Sequence, residues 1–512
     1  MSSKIHRFPI RSSLRAYSNK NIFAGSTPRR RHYHPHPIET RLYINGKFTP
    51  SSDSKTFEIK SPYTHQKVAD VSEASILDTN LAVSVAKSAL PAWSTLSLPV
   101  RGKYLKTLAS LIRSSSTELA ELDALSMGRP ISTYFDAVRA AEYFEHYAEA
   151  AWEVKGESSL NTPGFVNMTL RQPYGVVAAI IPWNIPVAMW ASKVAPAVAA
   201  GCTVVVKSSE KAPLSSAKLA TLVNEAGFPP GVINVLSGHG TPCGSTLASH
   251  MDVRLVNFTG STATGRKIQV AAAKSNLKKV ILELGGKSPV LVFEDADIEK
   301  AAIETAQSLI LNSGQICMAG SRIYVQDSIA EKFISMFAKA FSSARKGDPL
   351  DPETQQGPQA DELQFERVKT YLNAAEGILL AGGKSTSPGY FIEPTAYINV
   401  PEDSKTQKEE IFGPFVNINT FSTETEALEK ANATEYGLYA SVYTRNLDRA
   451  LRVAKAFESG AVAVNCTSPT SPHDMPFGGW KESGQGRALG FGCTLEEYLE
   501  VKSVMIKLNE EA

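Results

Sequence analysis

The chain has 512 residues, 43% hydrophobic and 20% charged, with a formal net charge of +2. That length exceeds one ordinary core, so two or three domains are expected. Nothing in so even a balance calls for nucleic acid or an acidic surface as a partner.

The five cysteines (Cys202, Cys243, Cys317, Cys466 and Cys493) form no CxxC and no Cys/His pair with zinc-like spacing. They read as free thiols in a reducing compartment, with no metal.

The first 38 residues depart from the average. Lys4, Arg7, Arg11, Arg15, Lys20, Arg29, Arg30 and Arg31 stand among frequent serines, and no acid precedes Glu39. A cationic, acid-free leader is what mitochondrial import requires, so residues 1–38 are expected to be a transit peptide or a disordered basic tail. The expected location is the mitochondrial matrix, otherwise the cytoplasm. Gln172–Ser192 is long and uncharged, but Pro173, Pro182, Pro186 and Asn184 break it. It predicts a strand and a turn, with no membrane partner.

After the leader, "RLYINGKF" predicts a hairpin about Asn-Gly. A helical stretch follows over Ile76–Trp152. From Tyr174 apolar strands alternate with helices: "GVVAAIIP", "TVVVKSS", the helix "PLSSAKLATLVNEAG", "GVINVLSG", "VRLVNFTG", the helix "STATGRKIQVAAAKS" and "KKVILELGG". This pattern predicts a parallel, doubly wound sheet. A second α/β series starts near Lys287, with a helix over Ile298–Asn312, the Cys317 loop, "RIYVQ", a helix over Ala330–Arg345 and "AVAVN". Two lone edge strands, "FVNMTLRQ" and "EYLEVKSVMIKL", invite pairing with each other or with another subunit.

Cys317, in "NSGQICMAGSR", is the first candidate for chemistry. Flanking glycines let a substrate oxygen approach backbone N–H groups, and exposed amides near a helix end lower a thiol's pKa. A lone cysteine is otherwise a space-filler. Glu283 ends an apolar strand, where a buried carboxylate suits general-base work; backbone amides satisfying it are the plainer reading. Asn184, held between prolines, suits an oxyanion donor or a support for its own turn. Gly260 and Gly265 mark a strand-to-helix junction able to meet a pyrophosphate, without the GxGxxG fingerprint. Lys207 and Glu210 end a neighbouring strand, either at a ribose or as a solvated pair.

In one order along the chain stand "PWNIP", "VVVKSSE", "FTGSTATG", "LELGGKSP", "GQICMAGSR", "EEIFGPF" and "PFGGWKESGQGR". The series resembles the aldehyde dehydrogenase superfamily from Arg41 to Leu508, within its broad NAD-dependent metabolic group. The resemblance implies a cofactor domain and a catalytic domain, both doubly wound α/β, plus a β-strand oligomerisation arm. Their expected extents are 39–156 with 174–284, 285–490, and 157–173 with 491–512. It implies oxidation of a small-molecule aldehyde to the carboxylic acid with NAD.

The same resemblance makes Cys317 the nucleophile, Asn184 and the Cys317 amide the oxyanion hole, and Glu283 the base that hydrolyses the thioester. Trp183, Lys207, Glu210, Gly260, Ser261, Gly265, Glu410 and Phe412 become cofactor contacts, and the assembly a homodimer or homotetramer. Glu283 argues against a CoA-acylating branch, where CoA replaces water. A catalytically silent member would have lost one of Cys317, Glu283 or Asn184, and all three are present. Departures from the common pattern gather near the aldehyde: Ile185 and Ser192 in place of larger aromatics, Ile316 and Met318 beside the nucleophile, and the loop Thr467–Asp474. The smaller residues suggest a wide tunnel and a bulky aldehyde.

Overall fold

A computed structural model describes residues 37–509, except 151, 153, 473, 488, 489 and 491–494. The leader up to residue 36, Cys493 and the ends of the expected arm lie outside the described residues. Glu39–Ala512 is one compact unit and is the one described below.

Two large sheets organise this unit. The first runs Lys47–Thr49, Leu42–Ile44, Ile233–Leu236, Thr203–Lys207, Val176–Ile180, Val253–Thr259, Lys279–Glu283 and Gly484–Gln485. The inner five are parallel, and three of them (Val176–Ile180, Thr203–Lys207, Ile233–Leu236) are buried at every residue. This is why they read as unbroken apolar runs rather than as alternation. The Asn45-Gly46 hairpin forms one edge, with Ile44 opposite Lys47. The other edge, Gly484–Gln485, comes from far along the chain, inside the segment 285–490.

The second sheet runs Ile378–Ala381, Thr395–Ile398, Phe415–Phe421, Arg322–Gln326, Pro289–Val292, Tyr439–Tyr443 and Ala461–Val464, parallel except at Ile378–Ala381. A third sheet pairs Leu499–Lys507 with Phe165–Pro173 through nine residues, from Leu499↔Pro173 to Lys507↔Phe165. The two lone strands therefore find each other within one chain.

The helical stretch resolves into Ile76–Ser94, Leu98–Ser114, Ser116–Met127 and Asp136–Ala150. Ser75 and Asp78 close a capping box at the first start, and Gly128 ends the third helix in a left-handed turn. The hairpin Thr56–Lys60 with Lys67–Ser72 is not announced by the sequence, because its strands are half exposed and lack a long apolar run. Helix Pro186–Ala200 is buried at all its residues, between the first sheet and helices Leu98–Ser114 and Asp136–Ala150. Trp93, Phe144, Tyr147 and Trp190 fill that core, and Phe333, Phe337 and Phe341 fill the one under the second sheet.

The helix expected over Ile298–Asn312 stops at Ile310, and the one expected to reach Arg345 stops at Ser342. Asn312, Ser313 and Gly314 then take left-handed φ values of 48°, 55° and 71°. Three such residues in succession turn the chain sharply and deliver Cys317 to the first sheet's end.

Candidate active site

Four parallel strands end at one place. Val176–Ile180 leads into Trp183 and Asn184, Thr203–Lys207 ends at Lys207, Val253–Thr259 leads into Gly260 and Ser261, and Lys279–Glu283 ends at Glu283. Carboxyl ends of parallel strands are where open α/β sheets form their crevice. Here a cavity of about 450 Å³ is lined by Trp183, Asn184, Lys207, Glu210, Gly260, Ser261, Cys317, Glu410 and Phe412. Gly265 and Glu283 do not line it; they stand immediately behind its wall.

The Cys317 loop is held by amides. Asn184 donates through Nδ2 to Gln315 O at 3.0 Å, and Asn312 donates through Nδ2 to Asn184 O at 3.0 Å. Gln315 donates to Asn312 O at 2.9 Å and accepts from Ala360 N at 2.9 Å. One N–H of the Asn184 amide is thus committed to the loop, and no described partner takes the second. No described backbone acceptor takes the Cys317 N–H either. Asn184 and Cys317 line the same cavity, so the second Asn184 N–H and the Cys317 N–H are the donors open to a ligand there. Gly286 packs so close that a Cβ there would overlap the Cys317 carbonyl.

Cys317 Sγ lies 3.9 Å from Glu283 Oε1. Burial, then the carboxylates of Glu283 and Glu410, push the thiol well above the ordinary cysteine range. The expected lowering by loop amides is thereby corrected. The Met318 and Cys317 amides do act downward, but desolvation and two anionic neighbours outweigh them.

Glu283 is fully buried. Burial raises its pKa, against the pull of Lys193 and of hydrogen bonds from Thr259 and Cys317. Thr259 Oγ1 donates to Glu283 Oε2 at 3.4 Å, and Lys193 Nζ donates to Thr259 Oγ1 at 2.8 Å. Burial brings Lys193 down to about 8, with Glu283 opposing the shift. Lys193 is not among the residues expected at the site, although it is the sole charged residue between Ile185 and Val206. A buried lysine in so apolar a helix needs partners, and that was the signal available.

The cleft's walls suit a dinucleotide. Ser261 caps helix Thr262–Lys274, accepting Thr264 N–H, so the first turn faces the cavity. Gly265 has no room for a side chain, since a Cβ would lie 2.7 Å from Leu284 Cδ2. Lys207 is buried rather than solvated, donating to Ser208 O at 2.8 Å and standing 4.0 Å from Glu210.

At the inner end Glu410 accepts Gly286 N–H at 3.0 Å, and burial pushes its pKa up to about 7. The Phe412 ring meets Trp183 edge-on at 5.3 Å. Two residues absent from the sequence reading fix this end. Arg367 donates to Glu410 O at 2.8 Å, and Gln364 donates to Phe412 O at 2.7 Å.

Where the resemblance expects the aldehyde, Ser192 turns back to Met189 O at 3.0 Å, leaving no bulk at that position. Ile316 and Met318 are buried in the core of the second sheet, which makes them packing residues first. The loop from Thr467 is anchored by Ser468 to Ser308 at 2.8 Å, by Thr470 O to Tyr439 OH at 2.8 Å and by Ser471 O to Arg139 at 3.3 Å. Among the described residues no helix is long and apolar enough to cross a membrane, and no group of three or more His, Cys, Asp or Glu is placed to hold a metal ion.

A profile of the aldehyde dehydrogenase family matches residues 48–504. An aldehyde dehydrogenase of Davidiella tassiana is 45% identical over 477 residues, which is 92% of this chain and 96% of that protein. The crystal structure of the aldehyde dehydrogenase KauB from Pseudomonas aeruginosa superposes with a TM-score of 0.90 at 40% identity, covering 92% of this chain and 97% of that one. An indole-3-acetaldehyde dehydrogenase complexed with NAD+ gives a TM-score of 0.90 at 39% identity, covering 93% and 98%.

Proposed function

The chain belongs to the aldehyde dehydrogenase family, and on that premise we propose that it oxidises an aldehyde to the carboxylic acid with NAD through Cys317. The observation that carries the reading is the meeting of Cys317, on the cleft wall, with Glu283 just behind it at 3.9 Å. Related proteins solved with NAD+ supply the analogy for the cofactor.

Cys317 loses its proton, with Glu283 in reach to receive it, and the thiolate attacks the aldehyde carbon. The alkoxide of the thiohemiacetal accepts hydrogen bonds from Asn184 Nδ2 and the Cys317 N–H. Bound NAD supplies the hydride acceptor; Trp183, Glu410 and Phe412 would hold its nicotinamide end, Ser261 and Gly260 its pyrophosphate, and Lys207 and Glu210 the adenosine ribose. Loss of hydride leaves a thioester on Cys317. Glu283 passes the thiol's proton to solvent and then takes one from water as hydroxide adds to the thioester carbon; the C–S bond breaks, the carboxylic acid leaves, and the proton on Glu283 returns to the Cys317 thiolate. A base placed for water supports hydrolysis over transfer to CoA.

The small Ile185 and Ser192 support a bulky aldehyde as substrate. The basic leader supports import into the mitochondrial matrix, and the strand arm supports assembly into a homodimer or homotetramer.

The test is NADH or NADPH formation across a panel of aldehydes, from acetaldehyde to fused aromatics, with Cys317→Ser and Glu283→Gln alongside. We expect NAD turnover by the native protein and loss of at least about a hundredfold in each variant. Undiminished turnover by Cys317→Ser would sink the mechanism, and stimulation by CoA would replace the hydrolytic step. A marked preference for acetaldehyde over the larger aldehydes would dismiss the bulky substrate.

A further inference from the structure

The general-base pair does not end at Lys193. Besides Thr259, the Lys193 ammonium donates to Asn257 Oδ1 at 2.9 Å. Lysine offers donors only, so the amide must turn its oxygen to it and its NH2 the other way. That NH2 points into core, where Asn257 Nδ2 donates to the Tyr498 phenol oxygen at 2.8 Å. Tyr498, Asn257, Lys193 and Glu283 are each 0% exposed, and Thr259 is 6% exposed. No solvent is at hand to replace a lost partner.

Tyr498 is itself fixed from several sides. It ends the turn Glu496–Tyr498 and leads into strand Leu499–Lys507. Its carbonyl accepts Tyr174 N–H at 3.1 Å and lies 3.5 Å from the Cys202 thiol. The neighbouring Glu497 pairs with Lys279 on the strand that ends in Glu283.

We infer that Tyr498 is a positioning residue for the reaction. Through Asn257 it holds the Lys193 ammonium against Thr259 and beside the general base. The inference rests on the reading of Glu283 as that base. A tyrosine that merely filled the core would be indifferent to its oxygen; here the oxygen is the described acceptor for an amide that has already given its own oxygen to a buried cation.

The titratable groups bearing on Glu283 are Lys193 from helix Pro186–Ala200, Cys317 from its loop and Tyr143 from helix Asp136–Ala150. Among these only Lys193 supplies positive charge. If its amide acceptor loosens, the ammonium form loses solvation and yields its proton at lower pH. Glu283 then loses its cationic neighbour and becomes harder to ionise. The rising limb of the rate against pH must therefore move to higher pH.

The experiment measures kcat against pH and pre-steady-state NADH formation for Tyr498→Phe, with NAD affinity as a control. We expect the rising limb to shift upward by roughly half a unit to one unit. We also expect an NADH burst to appear or grow as hydrolysis slows, with NAD affinity unchanged. A limb that stays in place while only thermal stability falls would overturn the inference. Asn257→Leu cuts the same link from its other side and decides the matter if Tyr498→Phe does not fold. Glu283→Gln separates the two claims. If it turns over like the native protein, the base assignment fails and this inference with it. If it is inactive while both link variants keep the native limb, the base stands and Tyr498 is only core.

Discussion

Asp123 shows what full burial does to a single acid when its one cationic neighbour is already engaged. It lies in helix Ser116–Met127 with no exposure, and burial, followed by the nearby Asp136, pushes its pKa up to about 8. Arg129, the cation at hand, is bound to Asp136 at 2.6 Å. Asp123 is thus protonated in the folded state at neutral pH and ionised in the unfolded chain. A raised folded pKa contributes stability below the ordinary value of 3.8, and this is lost as pH climbs toward 8. Asp123→Asn keeps the shape and removes the proton linkage. Between pH 5 and 8 the native protein should lose stability relative to Asp123→Asn by up to about 1.4 kcal/mol per pH unit. Thermal melts of both proteins across that range check the slope, and parallel curves would show that Asp123 ionises normally. Arg129 is better left in place in such work, because removing it strands the buried Asp136.

At the scale of elements, the turn Leu311–Gly314 places Cys317, and it does so at a cost. Asn312 and Ser313 sit in the left-handed region, which costs roughly 1 kcal/mol or more for each non-glycine residue. Hydrogen bonds offset this: Asn312 Nδ2 to Asn184 O, Ser313 Oγ to Gly357 O at 2.6 Å and Gln315 Nε2 to Asn312 O. Each contributes about 1 kcal/mol net. At Gly314 no such compensation is open to a side chain, since a Cβ would overlap the Gly413 carbonyl and Pro414. Gly314→Ala should therefore cost on the order of 2–4 kcal/mol or displace the Cys317 loop. Urea unfolding reads the first outcome and loss of thiol reactivity toward an aldehyde the second; a neutral variant would mean the turn has slack.

The same turn marks how far the sequence could be read. Apolar strands such as "TVVVK" and the helices between them announce themselves by composition, and so does the strand-end position of Glu283. The left-handed run after Ile310 does not, because Asn312 and Ser313 adopt it for the sake of residues 128 and 44 positions away. Cys317's raised pKa was hidden likewise, since Glu410 reaches it only through the fold.

At the scale of the whole molecule, the sheet of Ser158–Ser159, Phe165–Pro173 and Leu499–Lys507 is separate from the two large sheets. Its pairing within one chain uses one edge of Leu499–Lys507 and leaves the other without a strand among the described residues. Val501 and Met505, four residues apart and so on one face, are 58% and 72% exposed. An unpaired edge with apolar side chains is a template for another strand unless something covers it. In the proposed assembly a second copy of the same arm would supply the cover. If that is so, Val501→Lys with Met505→Lys should lower the molar mass in solution, as light scattering behind size exclusion would read it. The cofactor cleft lies at the ends of a different sheet, so NAD affinity should stay unchanged. An unaltered mass would remove the arm as the interface. A lower mass with slower turnover would extend the argument for Tyr498, since that residue joins the root of this strand to Glu283 through the buried Asn257, Lys193 and Thr259.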